Sequence, residues 1–173
     1  MANCTTLEDI IKGCDNNIGG ITSVYVNDME NISAITEDDA TWTVTAMTAS
    51  PRFQTFEFRR NVGNFTEDSA IDLINGSSFI TATINLMLHR REASVSRALK
   101  ILGEGQRDLA VIVKDSNEKY WYFPYAQLTT LGEGSGTAKA DGSKYSVVLT
   151  AENAHLAKEV DSTIISGLLE PIS

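Results

Sequence analysis

"RFQTFEFRRNVGNFTEDSAIDLINGSSFITATINLML", residues 52–88, decides the fold class of this chain. In its last third Ile80, Ala82, Ile84, Leu86 and Leu88 share one side of an extended segment. Phe79, Thr81, Thr83, Asn85 and Met87 share the other, because successive side chains of a strand point to opposite faces. Asn75-Gly76 just upstream is a hairpin signal, matching a type I′ turn with positive φ at both central residues. "FTEDSAIDLI" and "RFQTFEFRRN" read as two further strands. The spacing predicts a three-stranded antiparallel meander with one dry face and one half-wet face.

The same stretch concentrates charge. Phe56, Phe58 and Arg60 fall on one side of the predicted first strand, and Glu57 and Arg59 on the other. Across the hairpin, Glu57 and Arg59 are placed to meet Glu67 or Asp68, with Asp72 close by. Two readings stand side by side. One is a surface ladder worth roughly 0.2–1 kcal/mol per pair. The other is a contact with a neighbouring subunit, where such charges set register and partner choice.

Outward from this centre, the β pattern continues. Val24 and Val26 alternate with Ser23 and Tyr25, and Trp42, Val44 and Ala46 alternate with threonines. "LAVIVKD", "KYWYFPY" and "KYSVVLTAE" read as strands, with turns at "SNE" and Asp141-Gly142. "AQLTTLGEGSGTAKA" reads as a glycine-rich strand or loop. The period changes in "REASVSRALKILGEG", where Val95, Ala98, Leu99 and Leu102 form the stripe of an amphipathic helix. Gly103 or Gly105 suits its end. A short helix is also expected from Thr5 to Gly13, with Leu7, Ile10 and Ile11 on one side and Thr6 and Asp9 as a capping pair. The segment from Asn153 to Ser173 fits a short helix or a strand equally well. The expectation is one mainly β domain over 1–173, a β-sandwich or barrel with one flanking α-helix. Its ends, 1–18 and 153–173, are expected to order on assembly.

Composition narrows the function classes. Of 173 residues, 42% are hydrophobic and 21% charged, which is ordinary for a folded domain. No apolar run reaches the roughly 20 residues needed to span a bilayer, so no membrane partner is expected. The opening "MANCTTLEDIIKGC" does not read as a secretory signal, which argues against glycans at Asn31, Asn64 and Asn75. Cys4 and Cys14 read as two unpaired thiols, with a local bridge as the alternative. The net charge is −9, whereas a protein that grips DNA phosphates presents a basic face.

Chemistry-bearing motifs are sparse. His89 and His155 belong to no metal-ligand spacing. "GEGSG" at 132–136 lacks the Lys-Ser/Thr of a phosphate loop. No serine sits in a nucleophile-elbow context. Glu37, Asp38 and Asp39 lack the ligand pattern of a calcium loop and read as a solvated acidic run. The aromatic cluster from Tyr120 to Tyr125 fits alternating core and interface positions better than a carbohydrate face. No catalytic, cofactor-binding or metal residue is therefore expected.

The order of "FEFRRNVGNFTED", "NGSSFITATINLML", a helix, "LAVIVKDSNEKYWYF", "GSGTA" and "DGSKYSVVLTAE", with "NNIGGITSVYVNDMENI" near the start, resembles tail-tube (major tail) proteins of tailed bacteriophages. The likeness is to those of phages of gut Bacteroides-group bacteria and covers about Gly19 to Glu152. It departs at "DSNEKYW", where a turn glycine is expected in place of Glu118, and in the long C-terminal segment. The resemblance implies a virion protein made in the host cytoplasm, with no enzymatic activity and no cofactor. It implies copies that assemble into hexameric rings, rings that stack into a tube, and contact with other tail or neck proteins. DNA would be passing cargo, eased by an acidic lumen. On this reading Glu57, Arg59 and Arg60 are subunit-interface candidates, and Glu67, Asp68 and Asp72 are lumen-facing candidates. A neck, tail-terminator or head-decoration protein is the alternative, as is a tube of a contractile injection or secretion system.

Overall fold

The computed structural model describes residues 7–169, and Glu133 by its backbone alone. Ten strands and two α-helices follow one another as β1 (Ile21–Asp28), β2 (Ile32–Asp38), β3 (Thr43–Ala49), β4 (Gln54–Glu57), β5 (Gly63–Asp72), β6 (Ser77–His89), α1 (Ala93–Gly103), β7 (Leu109–Asp115), β8 (Tyr120–Gly134), β9 (Lys144–Asn153), β10 (Lys158–Val160) and α2 (Ser162–Leu168). The fold is mainly β, with the sheet curled into a half-barrel and flanked by helix.

One limb of the sheet has the order β2-β3-β10-β8-β7-β1-β4, and the other runs β8-β9-β6-β5. The shared element is β8. Its first half pairs with β7 from Lys114↔Tyr120 to Leu109↔Ala126. Its second half pairs with β9 from Gln127 to Gly134. The break falls at Pro124-Tyr125, where proline offers no N–H to a ladder and Tyr125 takes φ 55°. Between the limbs lies the first core, which includes Val24, Val111, Phe123, Ile84 and Val147, closed by Leu99 and Leu102 of α1. The outer side of the larger limb carries a second core of Tyr25, Ile112, Tyr122, Val44 and Phe53, covered by Ile165 and Leu168 of α2. β1 and β7 are thus buried on both faces, which is why "LAVIV" reads as an unbroken apolar run.

The expected strand β6 forms with its dry face intact: Ala82, Ile84 and Leu86 are buried, and the opposite face is half-exposed. The expected helix forms as α1, burying Leu99 and Leu102. The Tyr120–Tyr125 aromatics prove to be mostly core, with Tyr122 and Phe123 buried.

Three local expectations are corrected. The meander is not three-stranded: β5 pairs with β6 and β6 with β9, whereas β4 pairs with β1, Glu57 lying opposite Ser23. β4 ends at Glu57, and the chain turns through Asn61, at φ 62°, before β5 starts. The entry to β5 then packs on β1 so tightly that a Cβ on Gly63 would sit 2.8 Å from Ile21 Cγ1. The hairpin loop is also longer than two residues, since Asp72 pairs with Ser77. Asp72 accepts from the N–H groups of Ile74 (2.9 Å) and Asn75 (3.1 Å), and only Gly76 takes positive φ.

The third correction concerns the N-terminal helix. Leu7 to Gly13 form none, and Thr5 and Thr6 lie outside the described residues. So short a helix is unstable alone, and its apolar stripe finds no surface on its own chain. Cys14 is a free, exposed thiol, and Cys4 lies outside the described residues. The segment that fitted a short helix or a strand equally well holds both, β10 and α2, the helix capped by Asp161, whose carboxylate accepts from Thr163 N at 2.9 Å. At the departure from the family pattern, Glu118 adopts φ 64°, the left-handed region that glycine enters without cost.

Candidate assembly surfaces

The charges that stood together in the sequence separate in space. Because β4 joins β1, Glu57 and Arg59 do not meet Glu67 or Asp68 across a hairpin. Arg59 and Arg60 sit in the exposed turn that leads into β5, and neither makes an ion pair among the described residues. Arg60 therefore does not end a dry strand face. The three acids have three roles. Glu67 points inward and accepts the N–H of Ala157 at 2.7 Å, clamping the segment before β10. Asp72 is the internal acceptor of the hairpin loop, and those backbone N–H groups, Asn75 foremost, hold its carboxyl below the usual carboxylate range. Asp68 stands exposed on the outer side of β5, in line with Asn64, Thr66 and Asp72, and unlike Glu67 and Asp72 it has no hydrogen-bond partner among the described residues.

β5 is itself the most open edge of the sheet. Its ten residues pair with β6 in unbroken register from Gly63↔Leu86 to Asp72↔Ser77, and its other side has no strand partner among the described residues. The other two edges are protected in ways proteins use to prevent unwanted pairing. β4 has only four residues. β2 is interrupted by register shifts at Ile32/Ala34 and Thr36/Glu37. At the end of β5 the hairpin loop holds Leu73 and Ile74 at 90% and 95% exposure, flanked by exposed Ile71 and Phe79. Exposed apolar side chains grouped at one tip make it a candidate interaction surface.

The acidic run of β2 is built into the fold instead of being only solvated. Lys158, whose side chain is 5% exposed, points its Nζ at Glu37 Oε2 (2.7 Å) and Asp39 Oδ1 (2.6 Å). The ammonium lies 4.8 Å from the centre of the Trp42 ring. Trp42 in turn donates from Nε1 to the carbonyl of Ala157 at 3.2 Å and meets His155 edge-on. Hydrogen bonds to Asp39 and Glu37 hold the Lys158 ammonium above its ordinary pKa of 10.5. This node ties the edge of the larger limb to the C-terminal segment. No sequence spacing announces it, since its partners lie 121 and 119 positions apart.

A groove of about 640 Å³ opens between α1 and the inner face of β4 and β1. Phe56, Leu88, Val95, Ala98 and Ile101 are among the residues lining it. At its rim Arg107 pairs with Asp28 at 2.9 Å. His89 also lines it, and its buried Nδ1 has no hydrogen-bond partner among the described residues. No group of three or more His, Cys, Asp or Glu among the described residues is arranged to hold a metal ion. "GEGSG" runs from the end of β8 into a loop in which Asp141 accepts from Thr137 N and Ala138 N at 2.8 Å each. A carboxylate of the chain already fills the place an anion would take. No helix among the described residues is long and apolar enough to cross a membrane.

No family model matches this chain, and no curated protein matches it. Among solved structures it is similar to a chain from the virion of a native gene transfer agent (GTA) particle. That likeness covers 76% of this chain and 97% of the other, at 14% identity and a TM-score of 0.42.

Proposed function

We propose that this chain is a structural virion protein without enzymatic activity, whose copies close into rings that stack as a tail tube. The observation that carries the proposal is the open β5 edge with its apolar loop tip. Along its ten residues every second one directs its backbone N–H and C=O away from β6, and this regular row invites a neighbour's strand. A contact between two different surfaces closes into a ring when its rotation allows; six copies follow the tail-tube resemblance of the sequence, and the seam along β5 follows from its open edge.

Arg59 and Arg60, exposed at the start of this edge, and Glu57 just before them become the charged border of the seam. Asp68 is the one acid of the three candidates left to face a lumen, Glu67 and Asp72 having partners within the chain. The net charge of −9 suits a conduit from which DNA phosphates are repelled. Other tail or neck proteins would meet the ends of the tube.

Negative-stain electron microscopy of the purified chain, with light scattering on the same sample, tests the reading. Rings or hollow tubes are expected for the wild type. Arg59→Glu with Arg60→Glu should melt at an unchanged temperature and lose ring formation. Normal rings from that variant would remove these arginines from the seam, and a wild-type monomer at all concentrations would overturn the assembly reading itself.

A further inference from the structure

We infer that the open edge of β5 pairs with residues 130–134 of β8 in the next copy around the ring. This rests on the ring reading and names the surface that receives β5. A second open edge exists because β8 serves both limbs of the sheet. Its first half has β7 on one side and β10 on the other. From Gln127 onward it pairs with β9, and its other side there has no strand partner among the described residues. A register shift at Leu128/Thr130 interrupts the start of this stretch. Thr130 to Gly134 then run without a break opposite Val148 to Lys144.

Strand direction selects this partner. Across the limb β8, β9, β6 and β5 every neighbouring pair is antiparallel, so β5 and β8 run in opposite senses. A copy turned about the ring axis keeps its strand directions, and its β8 therefore meets β5 antiparallel, the more stable ladder. The two edges lie on opposite sides of one limb, as a contact that repeats around a ring requires. The sheet then continues from copy to copy, and closing it removes both edges.

The side chains agree with the pairing. Leu131 lies on the core side of β8, opposite buried Val147, yet it is exposed because no strand stands beside it. Ile71, on the core side of β5, is exposed for the same reason. On the outer side each strand presents a threonine, Thr66 on β5 and Thr130 on β8, and threonines pair favourably across strands. Gly132 has no positive φ, and a Cβ there would meet only Ser146 Cβ, at 3.8 Å. Neither its backbone nor its own core calls for glycine, whereas the close approach of another backbone does. The rival arrangement, β5 against itself, would bring Asp68 and Asp72 of two copies side by side with no cation on either strand.

The test is disulfide cross-linking of the full chain carrying Cys4→Ser and Cys14→Ser. Thr130→Cys is combined in turn with Asn64→Cys, Thr66→Cys and Asp68→Cys, three outward positions that sample the register of β5. Within one chain these sites are three strands apart, about 14 Å or more, and a disulfide spans at most about 7 Å between Cα atoms. Oxidation of at least one double variant should therefore give a ladder of covalent multimers on a non-reducing gel. Mixing its two single variants should give a dimer and nothing larger, and the β5 cysteine alone should give no cross-link. Leu131→Lys, at an exposed position, should keep the melting temperature and lose the rings. A dimer from the β5 cysteine alone overturns the inference in favour of β5 pairing with itself. Rings that form while no double variant cross-links overturn it and leave the ring reading standing. Failure of the wild type to form rings overturns the ring reading and this inference with it.

Discussion

Removing Glu37 and Asp39 together should harm this protein more than removing the lysine they share. The reason is the asymmetry of their burial. The Lys158 side chain is 5% exposed, but those of Glu37 and Asp39 are 37% and 83% exposed. With Glu37→Ala and Asp39→Ala, the ammonium stays buried and loses both acceptors, keeping only the Trp42 ring at 4.8 Å. Stripping the partner from a buried charge costs about 3–5 kcal/mol, and water entering where the acids stood lowers this to roughly 2–3 kcal/mol. With Lys158→Met, the two acids simply rehydrate. The loss is then about 1 kcal/mol, from surface-side ion pairs and a cation–π contact, partly offset because no charge remains to be buried. At about 2–4 °C per kcal/mol for a domain of this size, melting temperatures should rank wild type, then Lys158→Met, then the double-alanine variant.

A sign test makes the argument stricter. Adding Lys158→Met to the double-alanine variant should raise its melting temperature, because the orphaned charge is removed. Urea melts and differential scanning calorimetry give all four corners of the cycle. If Lys158→Met proves the more damaging change, or if the triple variant is less stable than the double, then Lys158 is not buried as a charge in need of partners, and the reasoning fails. The folded pKa of Lys158 is raised above 10.5, so the node's contribution is fully present below that pH. It is lost only as pH rises through the folded value.

Two further outcomes follow from the turns. Asp38, Asp72, Asp141 and Asp161 are each held below 3.8 by hydrogen bonds from their own loops, the Thr41 hydroxyl foremost for Asp38 and backbone N–H groups for the others. Their contribution is present above pH 3.8 and is lost as pH falls through the folded values, so melting temperature should drop below about pH 4, and Asp141→Ala should lessen that drop. At Glu118, φ 64° forbids a β-branched side chain: Glu118→Val should cost about 1–2 kcal/mol. Glu118→Gly should stay within about 0.5 kcal/mol of wild type, relief of backbone strain being offset by chain entropy and by loss of the ion pair that Glu118 Oε2 makes with Lys114 Nζ at 2.5 Å. Urea denaturation of both variants checks the contrast.

The sequence alone determined the β class, the strands β5 to β9, the helix α1, and the apolar faces of β6 and α1. These are local properties: a period of two or of 3.6 residues, glycine at turns, a stripe of leucines. Turn positions were legible too, but not the geometry at Asn75-Gly76, where the loop spans four residues and only Gly76 takes positive φ. Only the tertiary structure decided which strand lies beside which. β4 leaves the hairpin that follows it and pairs with β1, some thirty positions upstream, because pairing of edges is a choice among long-range partners that a local pattern does not encode. That choice parted Arg59 and Arg60 from Glu67 and Asp68, joined Glu37 and Asp39 to Lys158, and left β5 as the long open edge. It also left Leu7, Ile10 and Ile11 uncoiled. The apolar stripe in the sequence was real, but a helix that short forms only against a surface, and Leu7, Ile10 and Ile11 stand exposed with none against them.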